Sequence, residues 1–273
     1  MPVSCCNGVF SYRQKAMSWD KNRVRVNAAT RWETISCPVC NGEHFIELFR
    51  KLDEPFVRCT DCGLVLINPR PVYAHVLETY DSDYSKTYAG KAQKKLRRIR
   101  RWVKRVRKGY VQQGRWLDVG CSVGFVVLAA EEAGFEGHGV DVQSWGIDYG
   151  SRELKLARLR CGILEEQAYP ADYFDVISLY DVIEHVPDLN RLVAELKRIL
   201  KQGGVIDMIT PDIGHWRVPG TLSDWQEIKP SEHLYYFNRH SLSRLLARHG
   251  LRIIKYRFGI KPVLKVYVTH AHN

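Results

Sequence analysis

The stretch Trp116-Leu117-Asp118-Val119-Gly120-Cys121-Ser122-Val123-Gly124 decides how this chain is read. Trp116 to Val119 is apolar apart from one acid, and a glycine-bearing turn follows at once. Val126 to Ala133 then reads as a helix, so the stretch is a strand–turn–helix unit. Such a turn lets backbone approach a ligand where a Cβ would collide. In an open α/β sheet it lies at the carboxyl ends of the strands, where these folds bind ligands.

Downstream the alternation continues. A second strand ends at Gly139-Val140, a third is expected near Arg158 to Leu164, and Phe174 to Leu179 is an apolar run suited to a sheet buried on both faces. A helix follows from Leu189 to Leu200, with Asp188 placed to cap its start and Gly203-Gly204 its end. Val205 to Ile209 reads as a fifth strand. Ser241 is placed to cap a helix that Gly250 terminates, and Leu251 to Phe258 and Val263 to Thr269 read as two late strands. The alternation predicts an α/β fold, a doubly wound Rossmann-like sheet covered on both faces.

Asp141 stands 21 residues after Gly120, at the end of the second strand, where a carboxylate can accept from both hydroxyls of a ribose. Three ligand readings compete. A dinucleotide site wants Gly-x-Gly-x-x-Gly with helix-end amides facing a pyrophosphate. Here the pattern is Asp-x-Gly-x-x-x-Gly, and the leading acid repels phosphate. It suits a nucleoside carrying an ammonium and a sulfonium. The third reading is a tight turn with no ligand. Ser122 is tolerable in this turn if its φ is negative. Gly146 and Gly150 weaken the helix after Asp141 by about 1 kcal/mol each relative to alanine, and Asp207 puts a charge in the fifth strand that needs a partner or an edge.

Upstream, Lys91 to Lys108 holds eleven Lys and Arg and no acid. The whole chain has 41 Lys+Arg against 30 Asp+Glu, so removing this segment leaves 30 against 30. Ala92, Leu96, Ile99, Val103 and Val106 recur at helical spacing, which predicts an amphipathic helix with the cations on one face, closed by Gly109. The cations read as a solvated face, or as a surface for a phosphate-bearing substrate, an anionic membrane or RNA.

Of eight cysteines, four form Cys37-Pro38-Val39-Cys40 and Cys59-Thr60-Asp61-Cys62, two pairs separated by 18 residues. That is zinc-ribbon spacing, two turns giving two thiolates each, and four thiolates leave no open position, so the ion is structural. The domain reading is a poorly ordered extension over 1–33, a zinc-ribbon-like module over 34–70, a connector with the basic helix over 71–110, and the main domain over 111–273. No apolar run is long enough for a membrane span, and the first thirty residues lack a signal peptide's apolar block. A cytoplasmic chain is the expectation, peripheral to a membrane if the basic helix binds one.

The motifs together resemble those of class I methyltransferases that use S-adenosylmethionine. Asp118 to Gly124 is similar to their first loop and Asp141 to their acid after the second strand. The run Phe174-Asp175-Val176-Ile177-Ser178-Leu179-Tyr180-Asp181-Val182-Ile183-Glu184-His185-Val186 is similar to a block these proteins carry. Glu232-His233-Leu234-Tyr235-Tyr236-Phe237 and the phrase Cys62 to Pro71 resemble a subgroup with an N-terminal zinc module, many of them similar to sugar or small-molecule methyltransferases. The resemblance covers about residues 110 to 269 and implies a seven-stranded sheet. It further implies that Asp118, Gly120, Ser122 and Gly124 hold the methionine part of the cofactor, Asp141 the ribose, Leu164 and Glu165 the adenine, and that Asp181 lines the pocket.

A hydroxyl or carbon-acid acceptor needs a general base, and His185 and His233 are the candidates, each with a structural role as the rival. Tyr180, Tyr235, Tyr236 and Trp225 read as a substrate wall or as core. The activity expected is methyl transfer to a sugar, nucleotide-sugar or lipid-linked precursor. The alternatives are an RNA methyltransferase using the basic helix and a non-catalytic scaffold that keeps the fold.

Overall fold

Short apolar runs buried on both faces, Phe56-Val57 and Val65–Ile67, fold the cysteine segment into small antiparallel sheets in the computed structural model, which describes residues 31–72 and 92–271. Strands β1 (Trp32–Glu33) and β5 (Arg70–Pro71) pair with each other. Strands β2 (Phe45–Lys51), β3 (Glu54–Cys59) and β4 (Val65–Ile67) form a meander. Tyr73, Tyr80, Tyr84, Tyr88 and Lys91 lie outside the described residues, as do residues 1–30. Trp32–Glu33, expected in a poorly ordered extension, is a strand because β5 supplies its partner.

The rest of the chain alternates as read. Helix α1 (Ala92–Gly109) precedes β6 (Arg115–Val119), α2 (Phe125–Glu132), β7 (Glu136–Asp141), α3 (Ser144–Glu153), β8 (Leu159–Cys161), β9 (Phe174–Tyr180), α4 (Leu189–Ile199) and β10 (Leu200–Pro211). Strand β11 (Tyr235–Tyr236), α5 (Arg239–Arg248), β12 (Leu251–Tyr256) and β13 (Val263–His270) complete it. The main sheet has seven strands in the order β12-β13-β10-β9-β6-β7-β8, with β6 to β10 parallel and β13 antiparallel to both its neighbours. The order reverses between β6 and β9, and in such sheets the carboxyl ends at that switch point are where ligands bind.

Each face of the sheet buries one stripe of helix. Ile99, Val103 and Val106 of α1 pack with Phe125, Val126 and Ala130 of α2 over Trp116, Val176 and Val205. On the other face Leu189, Leu192, Val193, Leu196 and Ile199 of α4 cover Leu117, Ile177 and Leu179. Arg100 clamps α1 to α2 by a two-pronged bond to Glu132 at 2.5 and 2.6 Å.

Asp207, fully buried on the α1 face, has the partner its position demands: Arg257 donates to its carboxylate, and Tyr180 Oη donates to it at 2.8 Å. Breaking a buried pair strands a charge, at a cost of about 3–5 kcal/mol. Arg257→Ala is therefore expected to lower the denaturant midpoint far more than removal of an exposed cation such as Arg217. Equal midpoints would mean that Asp207 is neutral without its partner.

Three local expectations change. Gly203-Gly204 does not cap α4: the helix ends at Ile199, and Leu200 pairs at once with Phe174. The glycines sit instead in the irregular stretch before Val205 resumes pairing, with Gly203 at φ +81°. Ser241 is not the N-cap of α5. Asn238 is, accepting from Ser241 N at 2.8 Å, while Ser241 Oγ accepts from Asn238 N and closes a capping box. Ser122 takes φ +49°, not a negative value, because the tight return of the turn forces it left-handed.

The cysteine module is not a free-standing unit. Tyr235–Tyr236 of the main domain pairs with β4 and becomes the outer strand of its sheet, giving the order β11-β4-β3-β2. Arg248 of α5 donates to Val39 O at 2.8 Å, and Arg244 to Asp61 O at 3.1 Å, so one helix holds both cysteine turns.

Candidate functional site

The turn after β6 is built by left-handed backbone. Gly120 has φ +73° and Gly124 φ +85°, values a residue with a Cβ adopts only under strain. A Cβ at Gly120 would also run into the Val182 methyl, so this turn and the one after β9 are packed against each other. Asp181, in that second turn, has φ +57°. Ser122 and Asp181, both non-glycine and both left-handed, thus stand at the carboxyl ends of the two central strands. Strained residues gather where function needs a set geometry.

Asp141 ends β7 beside them. Its carboxylate accepts from Ser122 N at 2.7 Å and from Gln143 N at 2.8 Å, one bond on each oxygen. An ionised carboxylate has about four acceptor sites, so each oxygen retains one for an outside donor. Burial raises its pKa while the two amides pull it back. Leu164 and Glu165 lie in a short 3-10 turn beyond β8, Leu164 buried and Glu165 half-buried. Asp181 reaches solvent from a recess that raises its carboxyl; nearby Glu227 adds to this, and Lys229, Arg98 and Lys265 oppose it.

Asp118 is placed differently from its neighbours. It is buried inside the sheet and accepts from Ser178 Oγ at 2.6 Å, while Ser178 accepts from Trp116 Nε1 at 2.9 Å. Burial pushes its pKa up to about 8. Only 3% of the residue is exposed, and the charge of nearby Asp141 adds to the upward push.

The second cluster joins two distant segments. Leu234 N and Tyr235 N both donate to Glu184 O, and the His185 ring nitrogen Nδ1 donates to Glu232 O at 2.7 Å. The His185 and His233 rings meet edge to face, 4.6 Å between centroids. Because a carbonyl only accepts, Nδ1 of His185 carries the proton and Nε2 is left with a free lone pair. Burial lowers His185 to about 4 and His233 to about 2, so both rings are neutral at pH 7. Glu184, fully buried and raised to about 8 by burial and by Asp181, accepts from Thr210 Oγ1 at 2.9 Å. Glu184 Oε1 and His233 Nδ1 have no hydrogen-bond partner among the described residues. One polar atom each from Glu184, His185 and His233 falls within 4.8 Å of the others, so one small polar group can touch all three.

The cysteine module holds this cluster in place. Buried Glu54 of β3 accepts from both Ser231 N and Ser231 Oγ. Arg70 of β5 donates to Tyr235 Oη and to Pro187 O, and Tyr235 Oη donates to Pro187 O at 2.8 Å. Tyr236 and Trp225 pack with Phe56, Val65 and Ile67 of the module, and Tyr180 is tied to Asp207. The four aromatic residues therefore join the frame around the site rather than an open wall. Glu184, Lys229 and Glu54 escaped the sequence reading, although Glu184 adjoins His185 and offered that signal.

Cys37, Cys40, Cys59 and Cys62 converge, all four sulfurs within 4.8 Å of one another. Cys37 to Cys62 and Cys40 to Cys59 are 3.4 Å apart. Zn–S bonds of about 2.3 Å in a tetrahedron put sulfurs about 3.8 Å apart, so the donor set and spacing fit zinc. Cys161 and Cys121 stand apart from the cluster.

The buried acids set a pH dependence. A carboxyl with a raised folded pKa keeps its proton after the unfolded chain has lost it, so its contribution is full below about 4.5 and is lost as pH rises through the folded value. Asp118 and Glu184 both end this loss near 8. Stability is expected to fall by roughly 2–4 kcal/mol between pH 6.5 and 8. Asp118→Asn, neutral throughout, should flatten that fall in urea midpoints; an unchanged slope would mean that Asp118 is ionised in the fold.

The family described as a methyltransferase domain matches residues 88–256, more than half the chain. The ubiquinone biosynthesis O-methyltransferase of Bordetella avium is 34% identical over 115 residues, 38% of this chain and 44% of that protein. The demethylmenaquinone methyltransferase of Listeria welshimeri is 33% identical over 119 residues, 39% and 50% of the two chains. The chain thus spans about half the length of these relatives. Among solved structures, the PH0226 protein of Pyrococcus horikoshii aligns with TM-score 0.55 at 19% identity, over 65% of this chain and 92% of that one. Magnesium protoporphyrin IX methyltransferase of Synechocystis, with bound SAH, aligns with TM-score 0.52 at 12% identity, over 64% and 83%. At those identities the likeness is one of fold. With the strand order, the glycine turn and the acid ending β7 on one rim, the family match carries the assignment: this chain belongs to the methyltransferase domain family.

Proposed function

We propose that the protein transfers a methyl group from S-adenosylmethionine to a hydroxyl of a small or medium acceptor, and that a structural zinc ion bound by Cys37, Cys40, Cys59 and Cys62 holds the module that frames the site. The observation that carries the reading is Asp141: a rim carboxylate, fixed by Ser122 N and Gln143 N, with one acceptor site left on each oxygen for a ribose. Gly120, Ser122 and Gly124 shape the bed for the methionine part, with Asp118 beneath. Leu164 and Glu165 flank the adenine, and Asp181 closes the recess. S-adenosylmethionine supplies an electrophilic methyl on a sulfonium, so the protein's task is alignment, exclusion of water and removal of one proton.

His185 is the base in this reading. Its Nε2 lone pair is open and its tautomer is fixed by Glu232 O. His233 and Glu184 complete a polar recess for the acceptor hydroxyl. The ubiquinone biosynthesis O-methyltransferase of Bordetella avium favours an oxygen acceptor by analogy, while the subgroup motifs favour a sugar, nucleotide-linked sugar or lipid-linked precursor. No helix among the described residues is long and apolar enough to cross a membrane.

Labelled methyl transfer from S-adenosylmethionine, screened over quinol and sugar-linked acceptors, tests the reading. His185→Gln is expected to cut kcat by about 10²–10⁴ with little change in KM for S-adenosylmethionine. Undiminished transfer by the variant would remove His185 from the chemistry. Transfer to RNA alone, or no transfer with tight cofactor binding, would favour the nucleic-acid or scaffold reading.

A further inference from the structure

The face of α1 and the hairpin between β12 and β13 flank a half-open hollow of about 440 Å³, lined by Trp102, Arg105, Lys255, Arg257, Phe258 and Lys265 among others. Its polar lining is cationic. One acid lies beneath it, Asp207, and Arg257 already neutralises that charge. Arg105, Lys255 and Lys265 form no ion pair with an acid among the described residues, and Arg98 lies against the Trp102 ring, 5.0 Å from its centroid. Burial, followed by the charges of Arg257, Arg98, Lys261 and Arg105, pushes the Lys265 ammonium below its ordinary range. Cations drawn together from two separate elements repel one another unless an anion sits among them.

The cavity adjoins the transfer site. Lys265 pairs in register with Ile209, and Ile209 with Tyr180, the residue before Asp181. Two strand spacings, roughly 10 Å, separate Lys265 from Tyr180 along the sheet. Asp181 feels the charges of Lys265 and Arg98. The floor is stiff: Tyr180 bonds Asp207, Trp102 stacks edge-on against Tyr180 at 5.0 Å, and the Arg257 guanidinium lies over the Tyr267 ring. At the open edge Phe258 is 87% exposed and Ile260 61%, an apolar lip on a charged hollow.

We propose that this cavity is a phosphate-binding subsite, in which Arg105 and Lys265 hold a phosphate or diphosphate group of the acceptor. The anion binding stands on the cavity alone; the identity of its bearer as the methyl acceptor rests on the methyl-transfer reading above. A diphosphate seated here leaves the rest of the molecule directed along the rim toward Asp181 and His185. The lip at Phe258 and Ile260 gives a lipid tail a surface, so the phosphate comes from a soluble acceptor or from a lipid headgroup.

Titration of the full chain with inorganic pyrophosphate tests this, beside the double variant Arg105→Gln, Lys265→Gln, with S-adenosylhomocysteine titrated into the same samples. Pyrophosphate is expected to bind the native chain and to bind the variant at least about tenfold more weakly. S-adenosylhomocysteine affinity is expected to stay within about twofold, which also shows that the variant is folded. Equal binding to both proteins, or to neither, overturns the subsite. Pyrophosphate binding without any S-adenosylhomocysteine binding leaves the subsite standing and sinks the methyl-transfer reading alone. Sedimentation with phosphatidylglycerol vesicles assigns the source: capture lost in the double variant points to a lipid headgroup, and no capture with pyrophosphate binding intact points to a soluble acceptor. If instead single-stranded RNA binds both proteins alike, is lost when exposed Arg97, Arg101 and Lys104 become Gln, and pyrophosphate is silent, the cations serve nucleic acid and the subsite is overturned.

Discussion

Cys59→Ser is expected to empty the four-sulfur cluster and unravel everything that leans on it. The native chain should carry one equivalent of zinc and the variant close to none. Structural zinc contributes about 10–16 kcal/mol of folding energy in small isolated modules. Loss of even a third of that lowers the melting temperature by about 10 °C or more in a domain of this size. The damage should spread, because β3 and β4 carry the pairing edge for Tyr235–Tyr236 and Glu54 holds Ser231. With those contacts gone His233 leaves His185, so kcat should fall more than cofactor affinity. Cys161→Ser, at an exposed thiol outside the cluster, is the control and should retain both metal and melting temperature. A native chain without zinc, or a Cys59→Ser variant that melts like it, contradicts the structural role.

Asp141→Ala should weaken S-adenosylhomocysteine binding by a factor of about one hundred or more. Each hydrogen bond to a charged acceptor contributes about 1.5–3 kcal/mol, two ribose hydroxyls double that, and about 1.4 kcal/mol is a factor of ten. The variant also releases Ser122 N and Gln143 N, which loosens the turn itself. Asp141→Asn keeps one acceptor oxygen and should lose about tenfold. Isothermal calorimetry reads both. An alanine variant that binds as tightly as the native chain would take the ribose away from Asp141.

The strand–turn–helix at Trp116 to Glu132 was legible because its information is local: an apolar run, glycines, then helical spacing. The same holds for the four cysteines and for the apolar stripe of α1. What escaped is set by contacts distant in sequence. Tyr235–Tyr236 is too short to announce a strand, and it becomes one only because β4 offers an edge some 170 residues earlier. Gly203-Gly204 read as a helix stop, yet Leu200 is already captured by Phe174. The left-handed Ser122 sits in a turn whose amide bonds Asp141, a partner that no window around Ser122 contains. Glu184 looked like one more polar residue before His185, and its burial depends on the segment from Ser231 to Phe237 folding over it. Net charge hid the cationic hollow in the same way. Acids elsewhere balance Lys255, Arg257, Lys261 and Lys265, and only the fold brings them opposite Arg98 and Arg105.

Calorimetric titration of the native full chain with S-adenosylhomocysteine bears most directly on whether the rim of β6, β7 and β9 is a nucleoside site. One equivalent should bind, with a negative heat-capacity change as the adenine is buried. No heat at any of several temperatures, with the protein folded and its zinc in place, would contradict the assignment and leave a methyltransferase fold without its cofactor.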